Sequence, residues 1–292
     1  MMIRSMPELG AILTAMVTPF DAQLRVDEDA TVRLMKHLAA HGSDGLVVCG
    51  TTGEAATLDD DEHLRVVELA VGEMGGTSTI VAGVGSNDTR HAIKLTERAS
   101  ELGVDALLHV TPYYNRPNPR GIVAHFKACA AATDKPIILY NIPSRTGTDM
   151  SNDLLAELAQ EIDNVVAVKQ ANNASLAPID GLQLYAGNDD ILCETLEIGG
   201  VGGICVASHI VGDEMRRMVD EPENRRQIDA GLQDLYSALA VTTNPIPIKT
   251  ALDLLGHDVG GLRLPMVEAD EHERSVVRTA LERHGLLATA QA

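Results

Sequence analysis

Eight short apolar runs, each followed by a stretch with different patterning, constrain this 292-residue chain more than any other feature. They are AILTAMV (11–17), GLVVCG (45–50), TIVAGVG (79–85) and ALLHVT (106–111), then PIILYN (136–141), VVAVK (165–169), LQLYAG (182–187) and GGICVA (202–207). The runs do not alternate with polar residues, so each reads as a strand covered on both faces. The segments between them carry helical spacing. In TRHAIKLTERASELG, Ala92, Leu95, Ala99 and Leu102 fall on one face and Gly103 suits a C-terminal cap. This alternation predicts an α/β fold, a (β/α)₈ TIM barrel over residues 1–212. A doubly wound sheet is the alternative, but MVTPFDA after the first run lacks the glycine fingerprint of that fold. From 213 to 292 the β-type runs stop. There NRRQIDAGLQDLYSALAVTT and EHERSVVRTALERHGLL each predict a long helix, and NPIPIK (244–249) a stiff turn. This mainly helical C-terminal appendage begins with the last barrel helix running on past 212.

Acidic residues outnumber basic ones by 42 to 23, for a formal charge of -19. Such a surface repels nucleic acid and anionic membranes, and an anionic substrate would need local cations to hold it. Only 6 of the cations are Lys against 17 Arg, which fits a high-salt cytoplasm and a GC-rich genome equally well. Cys49, Cys129, Cys193 and Cys205 form no CxxC pair and read as buried thiols in a reducing compartment. No run of 18 apolar residues could span a membrane. The start, MMIRSMPELG, has no apolar secretion core. The expectation is a soluble cytoplasmic protein.

In a barrel, chemistry is built where the strands end. The second run leads into CGTTGEAA, where Thr51 and Thr52 lie between Gly50 and Gly53. Such a turn can hold a carboxylate with its N–H groups and hydroxyls, although Gly-Thr turns are also common structural features. Three of the five tyrosines, Tyr113, Tyr114 and Tyr140, follow the fourth and fifth runs. They read as proton carriers lining a pocket, or as an aromatic plug or interface. Arg145 offers a planar fork for a carboxylate, or an ordinary loop ion pair. Lys169 ends the sixth run, where an ammonium must be paired, used, or carried out to water on its stem. The strand ends carry no HxH pair or His/carboxylate cluster, which disfavours a metal-dependent aldolase. A lysine beside tyrosines suggests Schiff-base chemistry with no cofactor. GGVGG (199–203) precedes the eighth run, where a tight turn is expected rather than a phosphate loop.

Taken together, GTTGE (50–54), TPYYNRP (111–117), ILYNIPSRTG (138–147), VKQA (168–171), NPIPIK (244–249) and LRLPM (262–266) carry a resemblance. Over nearly its whole length the chain resembles the dihydrodipicolinate synthase / N-acetylneuraminate lyase family. The resemblance implies a homotetramer, a dimer of dimers, acting in lysine and diaminopimelate biosynthesis without metal or cofactor. Pyruvate would form an iminium on Lys169, lose a methyl proton, and attack the aldehyde of L-aspartate 4-semialdehyde. Tyr140 would shuttle protons, and Thr51 would link it to a Tyr114 supplied across a tight interface where Tyr113 packs. Thr52, with the N–H groups of the turn at Gly50, would hold the pyruvate carboxylate, and the carbonyl of Ile204 would border that pocket. Arg145 would bind the semialdehyde carboxylate.

Arg145 and Gly-Thr-Thr favour the synthase branch over sugar-acid aldolases, which tend to lack that Arg and read Gly-Ser-Thr. A non-catalytic barrel relative is the remote alternative, against which Lys169 and the Tyr/Thr set stand. The chain departs from the family pattern at Gln170, where Glu or Asp is frequent, and at AGND (186–189), where SGDD is familiar. In the pocket where lysine inhibits sensitive members, Asp60 and His91 replace a His and a Glu, while His63, Asn87 and Tyr113 match. Weak or absent inhibition by lysine is the expectation.

Overall fold

A computed structural model describes residues 7–288. Residues 1–6, part of the start read as lacking a secretion signal, and residues 289–292 lie outside the described residues. The strands are β1 (Ile12–Ala15), β2 (Gly45–Val48), β3 (Thr79–Gly83), β4 (Ala106–Val110), β5 (Ile137–Asn141), β6 (Val165–Gln170), β7 (Gln183–Ala186) and β8 (Gly202–Cys205). All pair in parallel in chain order, and β8 returns to β1 to close the barrel. Seven of the eight apolar runs contain one strand each, and the sixth strand runs one residue past its run, to Gln170.

The helices are α1 (Glu28–Ala40), α2 (Asp60–Met74), α3 (Thr89–Leu102), α4 (Pro119–Ala130), α5 (Pro143–Thr146), α6 (Asn152–Glu161), α7 (Leu192–Glu197), α8 (Ser208–Asp220), α9 (Arg225–Leu239), α10 (Ile246–Leu254) and α11 (Glu271–Arg283). Successive strand residues point to opposite faces. Leu13, Val47, Val81, Leu108, Ile138, Tyr140, Ala167, Tyr185 and Ile204 belong to one apolar cluster that fills the barrel. Their neighbours Ile12, Leu46, Ile80, Leu107, Leu139 and Val168 belong to a second cluster shared with the helices. Two apolar environments on either side of each strand are why the sequence shows no alternation there.

Side chains of Asp27, Asp59, Asp88, Asn118, Ser151 and Asp270 accept first-turn N–H groups and so fix where α1, α2, α3, α4, α6 and α11 begin. Gly103, at φ 93, ends α3 as its position predicts. Three C-terminal expectations need correction. α11 ends at Arg283 rather than running through HGLL, where Gly285 sits at φ 75. NPIPIK is only half a turn, because α10 starts at Ile246 with a proline in its first turn, where no N–H is required. α9 ends at Leu239 rather than running through AVTT, whose β-branched residues propagate a helix poorly. After α10 the chain returns to the barrel mouth, where the Phe20 N–H donates to Val259 O at 3.1 Å.

Candidate active site

Lys169 lies two residues beyond Ala167 on β6 and therefore faces the barrel interior. It pairs in register with Tyr140 on β5 and Tyr185 on β7. Only 5% of the residue is exposed, so its stem does not carry the amine out to water. Its Nζ sits 4.3 Å from the Tyr140 ring centroid. Among the described residues no ion pair or hydrogen bond engages that amine. Burial raises the pKa of the Asp189 carboxyl, and the Ala207 and Val206 N–H groups and the charge of Lys169 pull it back. Tyr185 is pinned by its hydroxyl, which donates to Gly10 O at 2.8 Å, and burial pushes its phenol up. Tyr140 is thus the phenol beside the amine.

The turn after β2 is bracketed by two left-handed residues, Cys49 and Glu54, both at φ 54. A Cβ on Gly53 would come within 3.1 Å of Met16 O and 3.2 Å of Cys49 N, so a side chain here would crowd the turn against the backbone around it. The turn is held at each step. Glu54 N–H donates to Thr51 O at 3.1 Å, Thr18 Oγ1 to Gly53 O at 2.7 Å, and Asn244 Nδ2 to the buried Thr52 hydroxyl at 2.9 Å. Asn244 O in turn accepts from Arg145 Nη2 at 3.0 Å. One asparagine therefore ties together Thr52 and Arg145, the two groups expected to meet carboxylates.

A cleft of about 380 Å³ opens over these strand ends. Gly50, Thr51, Tyr113, Tyr140 and Arg145 line it. Thr52, Lys169 and the fully buried Ile204 lie outside its lining. Tyr114 is set apart. It is 90% exposed on a left-handed backbone at φ 72, and its N–H donates to Thr146 O. Among the described residues no hydrogen bond joins the Thr51, Tyr140 and Tyr114 hydroxyls.

The same cleft reaches Asp60, His63 and His91. Asp60 bonds Lys94 Nζ at 2.6 Å and His91 Nε2 at 2.8 Å, and these partners hold its carboxyl down at about 2. Burial lowers His63 to about 4. Asn87 uses its carbonyl to accept from Asn115 Nδ2. The departures at Gln170 and Asn188 enter amide contacts, although Gln170 Nε2 is buried without a hydrogen-bond partner among the described residues. Gln170 Oε1 accepts from Asn141 Nδ2 at 3.1 Å, and Asn188 Nδ2 donates to Asn173 Oδ1 at 2.7 Å.

Sequence reasoning missed four residues that build this mouth: Asn244, Glu54, Lys249 and Arg263. Their motifs, GTTGE, NPIPIK and LRLPM, were visible, but nothing local says that Asn244, Lys249 and Arg263, 192 to 209 positions away, close on the GTTGE turn.

The profile of the dihydrodipicolinate synthetase family matches residues 8–284. A 4-hydroxy-tetrahydrodipicolinate synthase of Heliobacterium modesticaldum is 43% identical over 97% of this chain and 98% of its own length. A DHDPS from Cyanidioschyzon merolae, solved with lysine bound, superposes with TM-score 0.91 at 40% identity over 96% of this chain and 99% of that one. The chloride-inhibited dihydrodipicolinate synthase of Acinetobacter baumannii, solved with pyruvate, gives TM-score 0.92 at 35% identity over 96% and 100%. The match spans barrel and helical region alike, so the chain belongs to the dihydrodipicolinate synthetase family.

Proposed function

We propose that this chain condenses pyruvate with L-aspartate 4-semialdehyde to 4-hydroxy-tetrahydrodipicolinate, a lyase step of lysine and diaminopimelate biosynthesis. The observation that carries the reading is the Lys169 amine, buried beside Tyr140 with no counter-ion bonded to it among the described residues. The nitrogen of this amine attacks the pyruvate carbonyl carbon. Water leaves, and an iminium forms whose nitrogen accepts the electron pair when a methyl proton is lost. The resulting enamine carbon attacks the aldehyde carbon. The amino group of the second substrate then closes on the iminium carbon and releases Lys169. Tyr140 carries protons in these steps, with Thr51 linking it to a Tyr114 supplied by a second subunit. The outward, 90%-exposed Tyr114 fits that assignment, with Tyr113 packing at the same interface and a dimer of dimers as the assembly.

Thr52 and the N–H groups of the turn from Gly50 hold the pyruvate carboxylate, the Ile204 carbonyl borders it, and Arg145 takes the carboxylate of the semialdehyde. The same reading divides the chain into a barrel, 1–212, and a helical region, 213–292, with α8 running across the boundary. No metal or cofactor takes part. Among the described residues no helix is long and apolar enough to cross a membrane, and we place the enzyme in the cytoplasm. Lysine inhibits weakly, because the Asp60 carboxylate in this cleft is already bonded to Lys94 and His91.

Borohydride reduction with pyruvate followed by peptide mapping tests the chemistry. A stable adduct on Lys169 is expected, with turnover on the semialdehyde and not on sugar-acid aldehydes. An adduct elsewhere, or none, ends this reading.

A further inference from the structure

Glu54 closes the turn that presents Thr51 and Thr52, and its side chain meets an ammonium from the far end of the chain. Glu54 Oε1 lies 2.7 Å from Lys249 Nζ, and each side chain is 2% exposed. At that distance the two opposite charges are in direct contact. Lys249 also donates to Gly261 O at 2.7 Å and rests 4.2 Å over the Phe20 ring. The other Glu54 oxygen accepts the Arg263 N–H at 3.1 Å. The carboxylate is therefore gripped from α10 and from the segment after it.

A buried ion pair adds little net stability over apolar packing of the same volume. Its presence here calls for a second reason, and the backbone supplies one. Glu54 holds φ 54, a conformation that persists in an L residue only when its surroundings fix it. Asn244, two residues before α10, bonds the Thr52 hydroxyl from the same side. The turn is joined to α10 at Glu54 and to the segment leading into α10 at Thr52, and no other helix of the C-terminal region reaches that turn with a charge among the described residues.

We propose that Glu54 and Lys249 are positioning residues: their ion pair pins the 50–54 turn so that Thr51 and Thr52 meet pyruvate in register with Lys169. The proposal rests on the pyruvate reading above. It assigns the C-terminal helical region a part in catalysis through α10, without contact with substrate.

The test is the double variant Glu54→Gln/Lys249→Met, which keeps side-chain volume and leaves no lone buried charge. Borohydride trapping is followed against pyruvate concentration, beside steady-state kinetics and thermal unfolding. At saturating pyruvate the Lys169 adduct should form fully. Half-saturating pyruvate should rise about tenfold or more while KM for the aldehyde moves less than about threefold, a split expected when one substrate's contacts are displaced. An unshifted half-saturation overturns the proposal, as do both constants rising in step with a loss of folded protein. If the double variant does not fold, Glu54→Gln alone serves, since it keeps an acceptor for Arg263 and lets Lys249 shed its proton. The same pyruvate shift is expected there, and its absence is equally fatal. No adduct in the unaltered protein removes the pyruvate reading and this inference with it. A normal adduct with unshifted variants removes only this inference.

Discussion

Two buried lysines rest over aromatic rings in this molecule, and they have opposite surroundings. Lys169 at the end of β6 lies 4.3 Å from the Tyr140 centroid, and Lys249 on α10 lies 4.2 Å from the Phe20 centroid. Exposure hardly separates them, at 5% and 2%. Lys249 has a carboxylate at 2.7 Å and a carbonyl acceptor, whereas among the described residues the Lys169 amine has neither. Burial disfavours the ammonium of Lys249, and the charge of Glu54 and contact with it oppose that. A buried amine with a partner is committed to the fold. One without a partner remains free to react, so surroundings rather than burial assign the role.

Exchanging each lysine for Met is the hardest test of that contrast. Lys169→Met should lower kcat/KM by about 10³-fold or more, since it removes the amine proposed to form the iminium. It should leave the thermal midpoint unchanged or higher, because no ion pair is broken. Lys249→Met should do the reverse in weight. It strands the Glu54 carboxylate, a loss of about 3–5 kcal/mol that denaturant unfolding would read directly. Equal stability losses in the two variants would break the comparison.

How far the sequence alone revealed these roles follows from the range of the interactions. Lys169 was legible because its own strand betrays it: VVAV is apolar, and an ammonium at its end has to be explained. All eight strands were legible for the same local reason. The inward face of Lys169 follows from the two-residue period once Ala167 is inside. Lys249 was not legible. Its partner is 195 positions away in sequence, and NPIPIK read as a turn because prolines dominate its local signal while the first turn of a helix hides behind them. Tyr114 shows the opposite limit. Its neighbours mark it as part of the mouth, yet its position in a single chain is outward and solvated.

Buried histidines extend the comparison to groups that resolve the same cost by staying neutral. His109 is fully buried, and burial followed by the nearby His125 lowers it to about 3. His209 is 1% exposed and lowered to about 4, first by burial. Its Nε2 accepts the Val17 N–H at 3.1 Å, while Nδ1 faces Val206 O at 2.8 Å. Both folded values lie below the unfolded one near 6.5. Below that pH the unfolded chain binds protons that the folded chain refuses, so stability is full above pH 6.5 and falls as pH drops toward 4. Each tenfold difference in proton affinity between the two states is worth about 1.4 kcal/mol, so the two groups together should remove on the order of a few kcal/mol. Denaturant unfolding at pH 7 and pH 4.5 reads the loss. His209→Asn, which retains an acceptor for Val17, should flatten the slope, and an unaltered slope would mean that His209 already titrates normally when folded.

The smallest effect belongs to a third lysine, Lys94, which carries an ion pair of similar length in water. Its Nζ lies 2.6 Å from Asp60 Oδ2, with side chains 56% and 32% exposed. The pairing is as close as that of Lys249, so distance alone would rank the two together. Solvent reverses that ranking, because hydrated charges gain little from each other and each long side chain gives up rotamer freedom. Lys94→Ala should therefore cost less than about 1 kcal/mol, and less again at high salt. It should also raise the Asp60 pKa from about 2 toward its ordinary value, since the Lys94 hydrogen bond is the largest cause of that lowering. NMR titration of the Asp60 carboxyl and urea unfolding of the variant supply the two numbers. A loss as large as that of Lys249→Met would show that proximity, and not burial with a partner, sets the weight of a lysine in this fold.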